Sequence, residues 1–159
     1  MSFYTEVLQK DPRFNSPSAC HDLNMLEPGF RSDIILFINE AKAMGHTLVP
    51  VETYRSTQRQ QMFYAKHLTK LRNVGVHHFG LACDLALMDG GHYQPDRQDY
   101  MFFLELAQKH HMISGIDWGT PHQHHTFHDY DHVQRIKVSD QAKLFAGEWY
   151  PESDYNPWA

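Results

Sequence analysis

One short stretch near the middle of the chain restricts the folds that this sequence can adopt. Apolar residues occupy alternate positions there, namely Leu81, Cys83, Leu85 and Leu87. This period of two is typical of a strand with one face in the core. Asp84 falls on the other face between two alanines, which leave room for an ion or a substrate. The pattern predicts a sheet with one packed face and a polar site on the other.

Histidines lie on both sides of this strand along the chain. His77 and His78 precede it, and His132 follows in a second polar run. Two imidazoles and one carboxylate form a ligand set that leaves one coordination position open for water, as in catalytic zinc sites. His77 is favoured over His78 because it stands three residues before Gly80, where the chain could aim it back over Asp84. These residues predict metal-assisted hydrolysis.

Two aspartates near His132 are candidates for the general base. Asp129 precedes His132 by three residues, so its carboxylate could lie beside the open coordination position and take a proton from a metal-bound water. Asp131 is the alternative. On a strand it would face away from His132, its neighbour in sequence, which favours Asp129.

Arg55 lies at a predicted junction between a strand and a helix. A guanidinium there could hold a substrate carboxylate or carbonyl, or stabilise the oxyanion of a tetrahedral intermediate. Considered in isolation, Arg55 fits a surface salt bridge better than a substrate-binding role.

Hydrophobic periodicity predicts an α+β domain over residues 1–159. The expected strands are 46–52, 81–87 and 132–138, and the expected helices are about 33–44, 57–70, 96–111 and 140–147. Ser32, Ser56 or Thr57, and Ser139 are the expected helix N-caps, and Gly45 the first helix stop. Residues 1–28 form an arm, 112–131 a long loop, and 149–159 a tail that packs back on the domain.

Composition excludes several classes of function. The formal net charge of −5 argues against a protein that binds nucleic acid through a broad cationic face. No apolar run reaches membrane-spanning length, and the N-terminus lacks the features of a signal peptide, so synthesis in the cytosol is expected. Cys20 and Cys83 are too few for a disulfide scaffold.

Together these motifs resemble the zinc peptidases that include D-alanyl-D-alanine carboxypeptidases and dipeptidases of the VanY and VanX kind and phage L-alanyl-D-glutamate endolysins. The signature S-x-H-x-x-G-x-A-x-D followed by E/D-x-x-H is matched by His77, Gly80, Ala82, Asp84, Asp129 and His132. The family also has a tyrosine-arginine-serine element, followed by a glutamine, upstream of this signature. It is matched by Tyr54, Arg55, Ser56 and Gln60. The endolysin branch carries two further conserved segments, and residues 115–118 and 127–133 are recognisable variants of them. The chain departs at Gly75, where serine is usual, and at Asp129, where glutamate is commoner but the endolysin branch accepts aspartate.

The resemblance implies a fold, a cofactor and a set of roles. The fold is a small antiparallel sheet with helices on one face and the metal on the open face. His77, Asp84 and His132 would bind Zn²⁺, with Asp129 as general base and Arg55 as electrostatic stabiliser. Residues expected to contact substrate are Tyr54, Ser56, Gln60 and Trp118, although Trp118 fits the core equally well. His122, His124, His125 and His128 are interpreted as a solvated loop rather than a second metal site.

The implied activity is hydrolysis of peptidoglycan stem peptides, most simply at L-alanyl-D-glutamate. The alternatives are a D-alanyl-D-alanine carboxypeptidase or dipeptidase, and a non-catalytic binding module that keeps the metal, like the hedgehog signalling domain. A monomer is expected that acts on the cell wall after release or delivery, without a nucleic-acid or membrane partner.

Overall fold

The computed structural model describes residues 1–159 and contains four strands and five α-helices. The strands are β1 (Leu48–Glu52), β2 (Ala82–Leu87), β3 (Ile113–Ser114) and β4 (His132–Gln134). The helices are α1 (Phe3–Glu6), α2 (Pro28–Ala43), α3 (Thr57–Ala65), α4 (Phe102–Lys109) and α5 (Gln141–Phe145). None of these helices has both the length and the apolar character needed to cross a bilayer.

The strands form one antiparallel sheet in the order β1-β2-β4-β3. Its register brings the polar residues of three strands together, because Asp84 pairs with Glu52 on one side and with His132 on the other. The polar site predicted around Asp84 is therefore assembled by strand pairing in the middle of the sheet.

Helices α2 and α4 cover one face of the sheet. Their apolar residues pack against Cys83, Leu85 and Leu87 of β2 and Val133 of β4 in the largest hydrophobic cluster. Each large apolar side chain buried there stabilises the fold by roughly 1.5–3 kcal/mol. Since side chains alternate along a strand, the core residues of β2 leave Asp84 on the opposite face. The predicted α+β class, with helices on one face, is confirmed.

Helix α2 begins earlier than the sequence predicts. Its N-cap is Glu27, whose carboxylate accepts hydrogen bonds from the N–H groups of Gly29 and Phe30, and not Ser32. Ser32 lies inside the helix and donates its hydroxyl to the carbonyl of Pro28. Pro28 fits the first helical position because it has no N–H to satisfy there, so the expected Ser32 cap was wrong.

The second half of the chain differs from the prediction in four places. The helix expected over 96–111 is divided into a 3₁₀ turn (Arg97–Tyr100) and α4. The strand expected over 132–138 ends at Gln134. Strand β3 lies inside the segment predicted to be a loop. The last helix starts at Gln141, after a 3₁₀ turn that contains Ser139.

The arm and the tail both pack onto the domain. The tail is fixed by Arg135, which is 1% exposed and donates to the carbonyls of Ser153 and Tyr155 and to Asp33 of α2. Trp158 donates its indole N–H to the carbonyl of Met112. The predicted return of the tail to the domain is thus observed.

Candidate metal centre

Three side chains that are remote in sequence converge on the open face of the sheet. His77 comes from a 3₁₀ turn (Val76–Phe79), Asp84 from the middle of β2, and His132 from the first position of β4. Asp84 Oδ1 lies 3.3 Å from His77 Nε2 and 3.3 Å from His132 Nδ1. All three donor atoms lie within 4.8 Å of one another. This is the spacing that a single ion needs.

A backbone carbonyl fixes the orientation of His77. Its Nδ1–H donates to the carbonyl of Thr53 at 2.7 Å, which leaves the lone pair of Nε2 facing Asp84. His77 is 3% exposed, and its Nε2 has no hydrogen-bond partner. A buried nitrogen without a partner is costly unless an ion or another group satisfies it.

An amide on the same strand face fixes the orientation of His132. Its Nε2–H donates to Gln134 Oε1 at 2.9 Å, so Nδ1 is free to face Asp84. Gln134 is held in turn because its amide donates to the carbonyl of Ile136 and to Gln141 Oε1. Such outer partners orient metal-binding histidines and select their tautomer. Gln134 was not predicted, although its position two residues after His132 on a strand was a usable signal.

Asp84 is ionised in this environment. Burial opposes ionisation, but the neighbouring imidazoles of His77 and His132 outweigh it and hold the pKa of Asp84 well below its usual range. When both imidazoles are neutral, the three side chains offer two nitrogen lone pairs and one carboxylate, a donor set that suits zinc.

Asp129 lies next to this group on the solvent side. Its Oδ2 is 4.0 Å from His132 Nδ1, and its side chain is 40% exposed. Gly115 holds the segment: its N–H donates to the carbonyl of His132 at 2.8 Å, and its own carbonyl accepts from the N–H of Asp129 at 2.9 Å. A Cβ at residue 115 would lie 2.3 Å from the carbonyl oxygen of Asp129. The close approach therefore requires glycine at this position.

Asp131 also reaches the site, contrary to the prediction that it faces away. The alternation argument fails because β4 begins only at His132, so Asp131 lies in the preceding turn. Its carboxylate lies within 4.8 Å of those of Asp84 and Asp129. Burial and the charges of these two neighbours raise the pKa of Asp131 to about 9. A protonated carboxyl cannot accept a proton from water, which disfavours Asp131 as a base at neutral pH.

Arg55 enters the site from the segment between β1 and α3. Its Nη2 lies 2.8 Å from Glu52 Oε2 and 3.5 Å from Asp84 Oδ2, and its Nη1 donates to Gln60 Oε1 at 3.2 Å. Burial opposes ionisation of Glu52, but hydrogen bonds from Arg55 and Arg59 and the nearby His77 lower its pKa. Glu52, another residue that the sequence analysis missed, therefore anchors Arg55 beside Asp84.

The remaining predicted residues divide into two groups. Gln60 and Trp118 line the same cleft as the three candidate ligands. Tyr54 and Ser56 do not: the hydroxyl of Tyr54 donates to the carbonyl of Phe14 at 2.6 Å, and that of Ser56 donates to the carbonyl of Ser16. Both side chains instead attach the N-terminal arm behind Arg55.

The structure also separates the two adjacent histidines. His77 faces Asp84, whereas His78 turns to the arm, where its Nδ1–H donates to the carbonyl of Arg55 at 3.2 Å and its Nε2 accepts from the Tyr4 hydroxyl at 2.9 Å. Burial lowers the pKa of His78, which keeps this ring neutral.

The ligand group opens into a cleft of about 660 Å³. Its apolar lining consists of Phe63, Leu68, Leu71, Val76, Trp118, Phe127 and Val138. Trp118 stacks on Phe127 with ring centroids 6.0 Å apart and donates its indole N–H to the carbonyl of Phe127. A cleft of this size accommodates several residues of a peptide.

The histidine-rich loop contributes one wall of the cleft. His125 lines it, with Nε2 2.8 Å from Thr120 Oγ1, and His128 Nδ1 lies 2.8 Å from the carbonyl of Ile116. The groups of three or more side chains that are close enough to share an ion are His77, Asp84 and His132, and Asp84, Asp129 and Asp131.

The comparisons with known proteins identify the fold. The chain matches no protein-family model and no curated protein sequence. Among solved structures it is similar to the L-Ala-D-Glu endopeptidase ChiX of Serratia marcescens, with a TM-score of 0.59 and 19% identity over 70% of this chain and 81% of that one. It is also similar to VanYB in complex with D-alanine-D-alanine, with a TM-score of 0.53 and 17% identity over 77% of each chain.

A third structure adds a metal. The vancomycin-resistance D,D-pentapeptidase VanY in complex with Zn(II) has a TM-score of 0.52 and 16% identity over 76% of this chain and 78% of that one. The chain thus has the fold of these peptidoglycan peptidases, as the resemblance of its motifs predicted.

Proposed function

We propose that this protein is a zinc-dependent peptidase that hydrolyses the stem peptides of peptidoglycan, cutting the L-alanyl-D-glutamate bond. The observation that carries the proposal is the convergence of His77, Asp84 and His132 at the cleft, with Asp129 beside them. The fold shared with ChiX supports the substrate class.

The donor set fits zinc. Two imidazoles have their outer nitrogens hydrogen-bonded to acceptors, so their inner nitrogens are free to bind an ion. The carboxylate of Asp84 between them would balance part of the positive charge of the ion. Three protein ligands leave one position of a tetrahedral site open to solvent or substrate. The unpartnered Nε2 of His77 is the atom that a bound ion would satisfy.

The roles of the surrounding residues follow from their positions. When bound, zinc lowers the pKa of a water ligand and polarises the scissile carbonyl. Asp129 takes a proton from the attacking water while the water oxygen bonds to the carbonyl carbon. It then returns that proton to the leaving amine as the C–N bond breaks. Arg55 has five N–H donors, of which two donate to Glu52 and Gln60, so a further Nη donor can stabilise the oxyanion.

A D-alanyl-D-alanine carboxypeptidase or dipeptidase is the second candidate, favoured by the similarity to VanYB in complex with D-alanine-D-alanine. Gly75 weighs against it, since this position offers no hydroxyl to a substrate terminus. A metal-containing binding module without activity is a weaker alternative, because Asp129 and Arg55 both line the cleft beside the proposed ligands.

Digestion of purified sacculi distinguishes these candidates. Zinc-loaded protein is incubated with sacculi, and the released fragments are identified by mass spectrometry. An endopeptidase releases stem peptides that begin with D-glutamate, whereas a carboxypeptidase releases only D-alanine. Asp129→Asn serves as the control for contaminating hydrolases. Intact sacculi after prolonged incubation with the zinc-loaded protein would contradict the proposal.

The proposed substrate also determines where the protein acts. Peptidoglycan lies outside the cytoplasmic membrane, so the protein acts on the wall after release or delivery. A monomer suffices for this reaction, because one chain supplies all of the site residues.

A further inference from the structure

Lys70 differs from the other cation in the cleft because it has no acidic partner. Arg55 and Lys70 are the arginine and lysine residues that line the cleft. Arg55 is engaged by Glu52 and Asp84. No carboxylate lies within 4.0 Å of the Lys70 ammonium; the lysines that form ion pairs are Lys10, Lys109 and Lys143. Lys70 is therefore free to pair with an anion from outside the chain.

The sequence around Lys70 makes this wall of the cleft locally positive. No acidic residue occurs between Glu52 and Asp84, although the chain as a whole has a net charge of −5. The cations in this interval are Arg55, Arg59, Lys66, Lys70 and Arg72. The first two share Glu52, and the other three form no ion pair. A local excess of positive charge raises the concentration of anionic ligands at the cleft.

Gln60 fixes the segment that carries Lys70. Its buried amide donates to the carbonyl of Leu71 at 2.8 Å and to Thr69 Oγ1 at 3.2 Å, on either side of Lys70. The same amide accepts from Arg55 through Oε1 at 3.2 Å. The backbone of Lys70 is thus tied to the residue that lies beside Asp84, although the side chain itself remains exposed.

The ammonium of Lys70 reaches the opposite wall of the cleft. Its Nζ lies 5.4 Å from the ring centroid of Phe127, which stacks on Trp118. A ligand that contacts Phe127 in the cleft therefore lies close to this charge. An ammonium over an aromatic face retains N–H donors for a further acceptor.

We propose that Lys70 recognises a carboxylate of the bound stem peptide and so determines substrate specificity. This inference rests on the proposed function. A stem peptide with lysine as its third residue offers two such groups, the α-carboxylate of its D-glutamyl residue and its C-terminal carboxylate. Amidation of either carboxylate removes its negative charge and nearly preserves its shape. Amidated peptides therefore show which of the two carboxylates Lys70 binds.

The test uses three synthetic stem peptides: one with both carboxylates, one amidated at D-glutamate, and one amidated at the C-terminus. Turnover and equilibrium binding are measured for the wild-type protein, Lys70→Gln, Lys70→Arg and Lys66→Gln. Lys66 is the matched control, because it lies on the same segment but does not line the cleft. Lys70→Arg preserves the charge.

Wild-type protein should prefer the unamidated peptide over one amidated form by about three- to fivefold in KM or Kd, as expected for a partly exposed ion pair. Lys70→Gln should abolish this preference, whereas Lys66→Gln and Lys70→Arg should retain it. The preference should also decrease as salt is added.

The outcomes separate this inference from the proposed function. Equal KM values for all three peptides, or equal effects of Lys70→Gln and Lys66→Gln, would overturn the role of Lys70 and leave the peptidase activity intact. Binding without cleavage would overturn the proposed function, while the Kd ratios still decide the role of Lys70. If none of the peptides binds, both proposals are wrong.

Discussion

Gly115→Ala is a small substitution that should damage the metal centre specifically. Gly115 directly follows β3 and packs against the segment that carries Asp129 and His132. Its backbone hydrogen-bonds to both of these residues. An added Cβ would lie 2.3 Å from the carbonyl oxygen of Asp129 and 3.1 Å from the Cβ atoms of Asp129 and His132. These neighbours include backbone atoms, so a flexible side chain cannot simply move aside.

The size of the effect follows from this distance. Real Cβ atoms essentially never approach another atom closer than 3.0 Å, so the Asp129 carbonyl must retreat by about 0.7 Å from its 2.3 Å position. Overpacking of this kind costs roughly 1–3 kcal/mol of unfolding free energy. A displacement of this order at a catalytic group lowers turnover by about 10- to 100-fold.

Gly29→Ala provides a matched control. Its Cβ would lie 2.1 Å from the carbonyl oxygen of Ser153, a comparable collision at the contact between α2 and the tail. Urea unfolding should show a similar loss of stability in both variants. Only Gly115→Ala should also weaken zinc binding, measured by competition with a chelating dye. Normal zinc affinity and turnover in Gly115→Ala, or equal zinc losses in both variants, would refute the reasoning.

Three further substitutions test separate parts of the structure. Asp129→Asn should keep zinc but lower turnover by about 10²- to 10⁴-fold, as for loss of a general base; near-normal turnover would refute that role. Tyr54→Phe loses the hydrogen bond to Phe14 and should cost about 1 kcal/mol in urea unfolding with KM unchanged, because the side chain lies outside the cleft; a large KM change would contradict this placement. Arg135→Met should cost about 2–4 kcal/mol, because Asp33 loses its ion-pair partner and the carbonyls of Ser153 and Tyr155 lose their donor; an unchanged unfolding midpoint would count against this.

Much of the fold could be predicted from short-range patterns. The alternation of apolar residues around Asp84 correctly placed β2 and its core face, because strand periodicity depends only on adjacent positions. The helix expected over about 33–44 coincides with most of α2, in which Ile34, Phe37 and Ala41 are buried. The resemblance of the motifs supplied the antiparallel arrangement of the sheet, which periodicity alone does not contain.

Other features depended on contacts that the local sequence does not encode. β3 has only two residues and exists because it pairs with β4, so no alternation could predict it. The position of Asp131 depended on where β4 begins. The contacts of Tyr54 and Ser56 depended on the path of the N-terminal arm, which docks through backbone carbonyls of unremarkable residues.

Zinc content is the most direct test of the central claim. Purified protein is loaded with zinc, freed of excess metal and measured by elemental analysis, together with alanine variants of His77, Asp84, His132 and His125. We predict about one zinc per chain in the wild type and in His125→Ala, since His125 is not part of the ligand group. Each of the other three variants should lose the bound metal. A wild-type protein that retains no zinc, or ligand variants that retain it fully, would contradict the account.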